Sequence, residues 1–354
     1  RGGGGGGGGE PPKRLKAGTP VVYALGETDD GRMCAVNVRV VDARSRTAGG
    51  EKKRKHEEDG EAKHDEDRQD GDESVEGEEG EEGDEGEDDS SGSSVDIDLF
   101  EELKCGVHQV KGDRKDQCED FFVDKTKIPV SVLGETATCV FFGVFDGHGG
   151  STCSEYAAAH LAKNVLSRLR DRTKTANDET ALRTALLGGF KQTEHNFLQH
   201  ARRSGDASGS TACTMTVFGP DEEMRLRLFV ANAGDSRAVL GTASGKVIRL
   251  TEDHKPNLPA EKKFIESGGG SVAEIAGVWR CILPVKRRLS GTIGLAVSRG
   301  FGDKDFKGPN IVNPDPEITV HEVDWDDDEC VILATDGVWD VVSDKVAVRL
   351  LQGR

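Results

Sequence analysis

The stretch that most constrains how this chain can fold is residues 140–150, which read VFFGVFDGHGG. Its first six residues are apolar apart from one glycine, are rich in Val and Phe, and run into turn residues, which predicts a buried strand. The strand delivers Asp146 and His148 to one place, and Gly147 between them lets the backbone approach a ligand closely. We therefore expect a site for polar chemistry at the end of a buried strand.

The composition of residues 1–98 is that of a tail rather than of a fold. Residues 2–9 are all glycine, and residues 71–90 contain twelve acids and no basic residue. Apolar side chains are too sparse between Asn37 and Asp96 to offset the conformational entropy that folding costs. We expect residues 1–98 to be a disordered Gly-rich and acidic tail that carries most of the net charge of −18, and residues 99–354 to be the folded domain.

The acidic tail also bears on the expected partners. It repels nucleic acid and anionic membranes, and the chain has no run of 18 apolar residues, so we expect neither a nucleic-acid partner nor a membrane partner. Two roles fit the tail: binding of a basic partner such as a histone, and keeping the protein soluble without any partner. Residues 52–55 read KKRK and are either a nuclear import signal or a chance basic cluster.

The cysteines indicate a reducing compartment. None of the eight forms a CxxC pair, and Cys139 and Cys330 lie inside apolar runs, where a free cysteine behaves as a small hydrophobic residue. We expect a monomeric protein of the cytoplasm, the nucleus or both.

The remaining pattern predicts an α+β domain. Two long stretches after GHGGS have helical composition and spacing, and the second is interrupted by Gly188 and Gly189. Short strands then follow at hairpin spacing, and another helix begins close to the last residue. Consecutive hairpins favour an antiparallel sheet with helices packed outside it over a βαβ array.

Carboxylates recur at the ends of apolar runs, where a buried charge is expensive. The set is Glu119, Asp120, Asp146, Asp253, Asp303, Asp336 and Asp340. Taken alone, each of these acids also fits the alternative role of a turn residue or a helix cap. As a cluster they must be neutralised by protonation or by cations, and oxygen-only ligands favour Mg2+ or Mn2+. Two such ions can clamp a phosphate, and His148 would then suit a general acid, with a structural turn histidine as the alternative.

The motifs and their order resemble the metal-dependent, type 2C serine/threonine protein phosphatases. The matching stretches are GDRKDQCEDFF, VFDGHGG, SGSTA, VANAGDSRAVL, LTEDHKP, LAVSRGFGD and ILATDGVWDVVSD, between Gly106 and Leu351. The resemblance implies a β-sandwich of two antiparallel sheets flanked by helices on both sides, with metal ions at one end between the sheets. It also implies hydrolysis of phosphoserine and phosphothreonine in proteins.

The resemblance further implies roles for individual residues. Asp146 would bridge two ions, Glu119 and the backbone carbonyl of Gly147 would complete the ligands of one, and Asp336 would bind the other. Asp120 would orient water, and His148 would protonate the departing oxygen. Asp253 and Asp340 would join Asp336 in a weaker third site. The attacking group would be a metal-bridging hydroxide, with no phosphoenzyme, and we assign SGSTA and GDSR to architecture.

Three departures from the family pattern matter. The family's phosphate-gripping arginine lies four residues before the acidic pair, whereas Arg114 lies five residues before Glu119 and Lys115 takes the fourth position. We assign phosphate binding to Arg114, with Lys115 as the alternative. A longer segment before LAVSR adds Lys286, Arg287 and Arg288, which indicates either a preference for acidic or multiply phosphorylated substrates or a solvated loop.

The third departure concerns the last metal-ligating motif of the family, an Asp-Asn pair, for which the chain offers no candidate. We therefore expect a domain that is incomplete at its C-terminus and has poor stability and weak or absent activity. The competing functional hypothesis is a non-catalytic member of the fold that binds phosphoproteins. A histone-binding protein would account only for the tail.

Overall fold

The computed structural model describes residues 33–39, 103–110, 118–132, 135–170, 178–219, 225–283 and 294–353. The strands in these ranges are β1 Met33–Arg39, β2 Lys104–Val110, β3 Phe121–Val132, β4 Glu135–Phe145, β5 Gly147–His148, β6 Gly209–Ser210, β7 Ala212–Phe218, β8 Arg227–Ala233, β9 Arg237–Thr242, β10 Val247–Arg249, β11 Ser271–Ile275, β12 Val278–Ile282, β13 Phe301–Gly302, β14 Glu317–Glu322 and β15 Asp328–Ala334. The helices are α1 Thr152–Arg170, α2 Asp178–Ser204, α3 Pro259–Ser267, α4 Lys304–Lys307, α5 Asp336–Trp339 and α6 Asp344–Gln352.

Two five-stranded sheets face each other in a sandwich. One has the strand order β14-β8-β7-β4-β3 and the other β10-β9-β15-β1-β2, and all their neighbouring strands are antiparallel. Strand β4 alternates between two cores because successive side chains of a strand point to opposite faces. Val140, Phe142 and Val144 pack between the sheets with Leu240 and Leu333 of the other sheet. The buried strand predicted at 140–145 is thus an inner strand of the sandwich.

Helices cover both outer faces of the sandwich. Phe141 and Phe145, on the other face of β4, pack against α1 and α2 through residues such as Leu161 and Phe190. On the opposite side, α5 and α6 place Trp339 and Val348 against strands β9 and β15. Each fully buried large apolar side chain contributes about 1.5–3 kcal/mol, so the two outer layers hold the sheets in place. This arrangement confirms the predicted α+β sandwich flanked by helices on both sides.

Strand β1 corrects the predicted boundary of the domain. Residues Met33–Arg39 pair with β15 on one side and β2 on the other, so they are an inner strand of a sheet and not part of a tail. A start of the domain at residue 99 is therefore wrong for this segment. Val36 and Val38 favour a strand, and the two neighbouring strands satisfy the backbone hydrogen bonds of the segment. The rest of the predicted 1–98 tail lies outside the described residues.

Two further features differ from or add to the expectations. Helix α2 passes through Gly188 and Gly189 without the predicted interruption, because packing against α1 outweighs the low helix propensity of glycine. In the part of the chain that the structure describes, no helix combines the length and the apolar character needed to cross a membrane.

A small third sheet forms the floor of the site. It joins β5, β6 and β13 in the order β13-β6-β5, and it pairs His148 with Gly209 and Gly209 with Gly302. Three distant segments of the chain therefore meet where β4 ends.

Candidate active site

Asp146 lies directly after β4 and is fixed there by its backbone. Its amide donates a hydrogen bond to Thr211 Oγ1 at 3.1 Å, and its carbonyl accepts one from the Thr211 amide at 2.9 Å. Thr211 Oγ1 also exchanges a hydrogen bond with Ser236 Oγ at 2.7 Å. The side chain of Asp146 is buried, so its charge has to be neutralised by its surroundings.

Asp336 meets Asp146 from the other sheet. It begins α5 one residue after β15, and the carboxyl groups of the two residues are close enough to shift each other's pKa. Burial raises the pKa of Asp146, and the charges of Asp120 and Asp235 raise it further. Desolvation likewise raises the pKa of Asp336, followed by the charges of Asp235 and Asp146. The pair therefore holds protons unless a cation takes their place.

Glu119 and Gly147 lie together beside this pair. The Glu119 carboxylate accepts a hydrogen bond from the Gly150 amide at 3.0 Å, and its backbone carbonyl accepts one from the Ser154 hydroxyl. A Cβ atom at position 147 would lie 2.1 Å from the backbone oxygen of Glu119. Only glycine fits this close approach, which brings two backbone segments and a carboxylate to the edge of the acidic pair.

Asp120 is buried and faces the start of α5. Its Oδ2 accepts a hydrogen bond from Thr335 Oγ1 at 3.3 Å, which links it to the residue preceding Asp336. The structure thus brings together Glu119, Asp120, Asp146, Gly147 and Asp336 of the predicted set.

Asp235 is part of the acidic cluster, although its GDSR motif is predicted from the sequence to be architectural. It is buried, it raises the pKa of both Asp146 and Asp336, and its Oδ2 lies 2.5 Å from Lys255 Nζ. A usable signal was present in the sequence, since Asp235 follows the apolar run of β8 as Asp146 follows β4. The partly exposed Lys255 places a positive charge of the protein itself beside the cluster.

The two residues predicted for a weaker third metal site are arranged differently. Asp253 is held by Arg237, whose Nε and Nη2 atoms donate to its two carboxylate oxygens at 2.9 and 2.5 Å. Desolvation raises the pKa of Asp340, Lys255 lowers it, and Asp235 and Asp253 raise it. Asp340 therefore borders the cluster, whereas a cation at Asp253 would compete with a bidentate guanidinium.

His148 forms a hydrogen-bonded ion pair with Asp303 across the small sheet. Its Nε2 atom lies 2.9 and 3.0 Å from the two carboxylate oxygens of Asp303. Burial alone would lower the pKa of His148, but the adjacent Asp303 carboxylate outweighs it and raises that pKa. The Asp303 carboxylate therefore favours the protonated form of the imidazole, which is the form that a proton donor needs.

The donor set suits hard divalent cations. All the clustered groups offer oxygen atoms, and their mutual repulsion is what a cation would relieve. In the described ranges, no three acidic, histidine or cysteine side chains stand in the geometry of a complete ligand set. The predicted phosphate ligand Arg114, its alternative Lys115 and the basic segment around Arg287 lie outside the described residues.

Comparison with known proteins agrees with this geometry. The sequence profile described as Protein phosphatase 2C matches residues 103–354. A rice protein, "Probable protein phosphatase 2C 52" of Oryza sativa subsp. japonica, is 39% identical over 251 residues, which are 71% of this chain and 44% of that protein. "Protein phosphatase 1L" of Bos taurus is 34% identical over 256 residues, which are 72% of this chain and 65% of the bovine protein. The chain thus spans about half to two thirds of the length of these relatives.

A solved structure supports the same fold. The serine-threonine phosphatase 2C from Toxoplasma gondii superposes with a TM-score of 0.54 at 27% sequence identity, and the match covers 68% of this chain and 81% of that one.

Proposed function

Because the chain belongs to the protein phosphatase 2C family, we propose that it hydrolyses phosphoserine and phosphothreonine esters of proteins with the help of divalent cations. The observation that carries the proposal is the meeting of Asp146 and Asp336. These carboxyl groups come from the ends of strands in two different sheets. Their pKa values are raised, so their ionised forms are unfavourable unless a positive charge lies beside them. A dianionic phosphate ester could not approach this cluster without that charge.

Two Mg2+ or Mn2+ ions are the proposed cofactors. Asp146 would contact both, with Glu119 and the Gly147 carbonyl on one side and Asp336 on the other. When bound, the ions would neutralise charge on the transferring phosphoryl group and activate the attacking water. The Arg237 clamp on Asp253 supports a weaker affinity for any third ion.

The chain's own side chains would orient water and supply a proton. Asp120, fixed by Thr335, would hold the attacking water in line with the phosphorus. His148 would pass a proton to the departing serine or threonine oxygen. Ser210 and Thr211 are poor candidates for a nucleophile, because both hydroxyls are buried and hydrogen-bonded within the protein. Their placement supports direct transfer to water without a phosphoenzyme.

A phosphate-release assay on the full chain tests the proposal. Turnover of a phosphothreonine peptide with Mn2+ should stop on addition of EDTA and in Asp146→Ala. Asp305→Asn, a half-buried acid outside the cluster, is the matched control and should retain the wild-type rate. Tight binding of the phosphopeptide without any turnover would favour the non-catalytic phosphoprotein-binding alternative instead.

A further inference from the structure

A buried carboxylate stands behind the partly exposed imidazole of the site. The side chain of His148 is 26% exposed, whereas that of Asp303, which touches its Nε2 atom, is 3% exposed. The histidine can therefore reach a substrate while the aspartate cannot. A buried carboxylate bonded to one nitrogen of such a ring fixes the orientation and the tautomer of the ring.

The backbone at Asp303 is held in an unfavourable conformation that places this carboxylate. Its φ of 47° and ψ of 50° lie in the left-handed region, which costs about 1 kcal/mol for a residue with a Cβ atom. Its amide donates to the Ser208 carbonyl at 3.0 Å, and its carbonyl accepts from the Phe306 amide at 2.8 Å. The surrounding hydrogen bonds thus compensate for the local strain.

The neighbouring strand leaves room for the pair. A Cβ atom at Gly209 would lie 2.2 Å from Asp303 Oδ2 and 2.4 Å from His148 Nε2. A larger residue there would push the carboxylate and the ring apart. Position 209 therefore has to be glycine for the contact to form.

A second buried ion pair braces the segment that carries Asp303. Glu194 of α2 accepts a hydrogen bond from the Gly302 amide at 2.9 Å and pairs with Lys307 at 3.0 Å. Both side chains are less than a tenth exposed. The loop is anchored on both sides of residue 303, so the carboxylate has little freedom to leave the ring.

We propose that Asp303 is a positioning residue for proton donation, which holds the His148 ring through Nε2 so that Nδ1 gives its proton to the departing oxygen. This inference rests on the proposed phosphatase function. As the P–O bond breaks, its electron pair stays on the serine or threonine oxygen, which takes the Nδ1 proton. The ring is left neutral with its Nε2 proton directed at Asp303. The proton that the attacking water loses replaces the one donated.

The test compares substrates that differ in their need for that proton. Departure of a threonine alkoxide needs a proton, whereas departure of p-nitrophenolate does not, because it is a stable anion. In Asp303→Asn, kcat for a phosphothreonine peptide should fall about 10- to 100-fold with KM unchanged, while kcat for p-nitrophenyl phosphate stays within about 3-fold. His148→Gln should show the same pattern, and the double variant should lose no more than the worse single variant.

The controls distinguish a failure of the positioning role of Asp303 from a failure of the proposed phosphatase function. Asp305→Asn, in the helix α4 that follows Asp303, should match the wild type for both substrates. Equal losses of Asp303→Asn on both substrates, or no loss on either, would overturn the positioning role. Absence of turnover in the wild-type protein would instead overturn the proposed function, and this inference with it.

A second measurement does not depend on the folding of a variant. The 15N spectrum of the His148 ring in the wild-type protein should show a protonated Nε2, because a carboxylate can only accept a hydrogen bond from it. An unprotonated Nε2 would contradict the proposed arrangement.

Discussion

The carboxyl groups of Asp146 and Asp336 lie close enough to shift each other's pKa, at the place where the two sheets of the sandwich meet. Each follows the end of an inner strand, β4 in one sheet and β15 in the other. The polypeptide gives up stability to hold two acids in this position, since burial and the charge of Asp235 disfavour the ionised form of both. A bound cation would remove this cost, which supports a role of the two acids in cation binding.

The first prediction concerns the stability of the cation-free protein. The pKa of Asp146 is raised from 3.8 to about 7 and that of Asp336 from 3.8 to about 9. The native state therefore binds protons more tightly than the unfolded chain does, and the free energy of unfolding should fall as pH rises from about 4 to about 9. Asp336→Asn should raise that free energy at pH 8 in EDTA by about 1–3 kcal/mol, as measured by denaturant titration.

Asp206→Asn is the control of opposite sign. Burial tends to raise the pKa of Asp206, but hydrogen bonds from Ser208 lower it overall. Loss of this carboxylate should reduce stability at pH 8, whereas loss of Asp336 should increase it. A destabilised Asp336→Asn would show that the pair is held together by favourable contacts and not against repulsion.

The second prediction concerns the close approach at Gly147. In Gly147→Ala, the new methyl group would lie 2.1 Å from the Glu119 carbonyl oxygen and 2.5 Å from Ser154 Oγ, so the segments must separate. We expect a loss of about 1–3 kcal/mol in the free energy of unfolding and weaker binding of Mn2+. Gly308→Ala is the matched control, because position 308 has a helical φ of −55° and open space around it. Equal effects of the two substitutions would refute the packing argument.

The third prediction concerns the guanidinium group of Arg237, which binds Asp253. Arg237 is buried, bonds Asp253 and Asp344, and lies over the Trp339 ring at 5.3 Å. Arg237→Leu leaves two partly buried carboxylates without that partner and should cost about 3–5 kcal/mol in thermal or denaturant unfolding. Arg249→Ala, which removes a half-exposed partner of Asp344, should cost less than about 1 kcal/mol. Similar costs for both variants would mean that the Arg237 network contributes no more than a surface pair.

Much of the fold is predictable because its pattern is local. The apolar run at 140–145, the hairpin spacing of the later strands and the two long helical stretches each indicate their element without knowledge of tertiary contacts. The strand Met33–Arg39 is not predictable in this way, because it adjoins a long charged segment and its partners β2 and β15 lie far away in the sequence.

The site is predictable where an acid lies within two residues of the end of a strand. This signal identifies Asp146 and Asp336, and it should have identified Asp235 as well. Pairings such as Asp303 with His148 or Arg237 with Asp253 leave no local pattern, because they depend on how strands from distant segments are placed. The same dependence explains why the sequence indicates Asp253 as a metal ligand but does not reveal its guanidinium partner.

The central claim is that the acids gathered around Asp146 bind divalent cations, and isothermal titration of the EDTA-stripped full chain with Mn2+ tests it most directly. We predict two ions per chain in the wild type and at least about 100-fold weaker binding in Asp146→Asn, a difference of about 2.7 kcal/mol. No binding by the wild type, or equal binding by the variant, would contradict the claim.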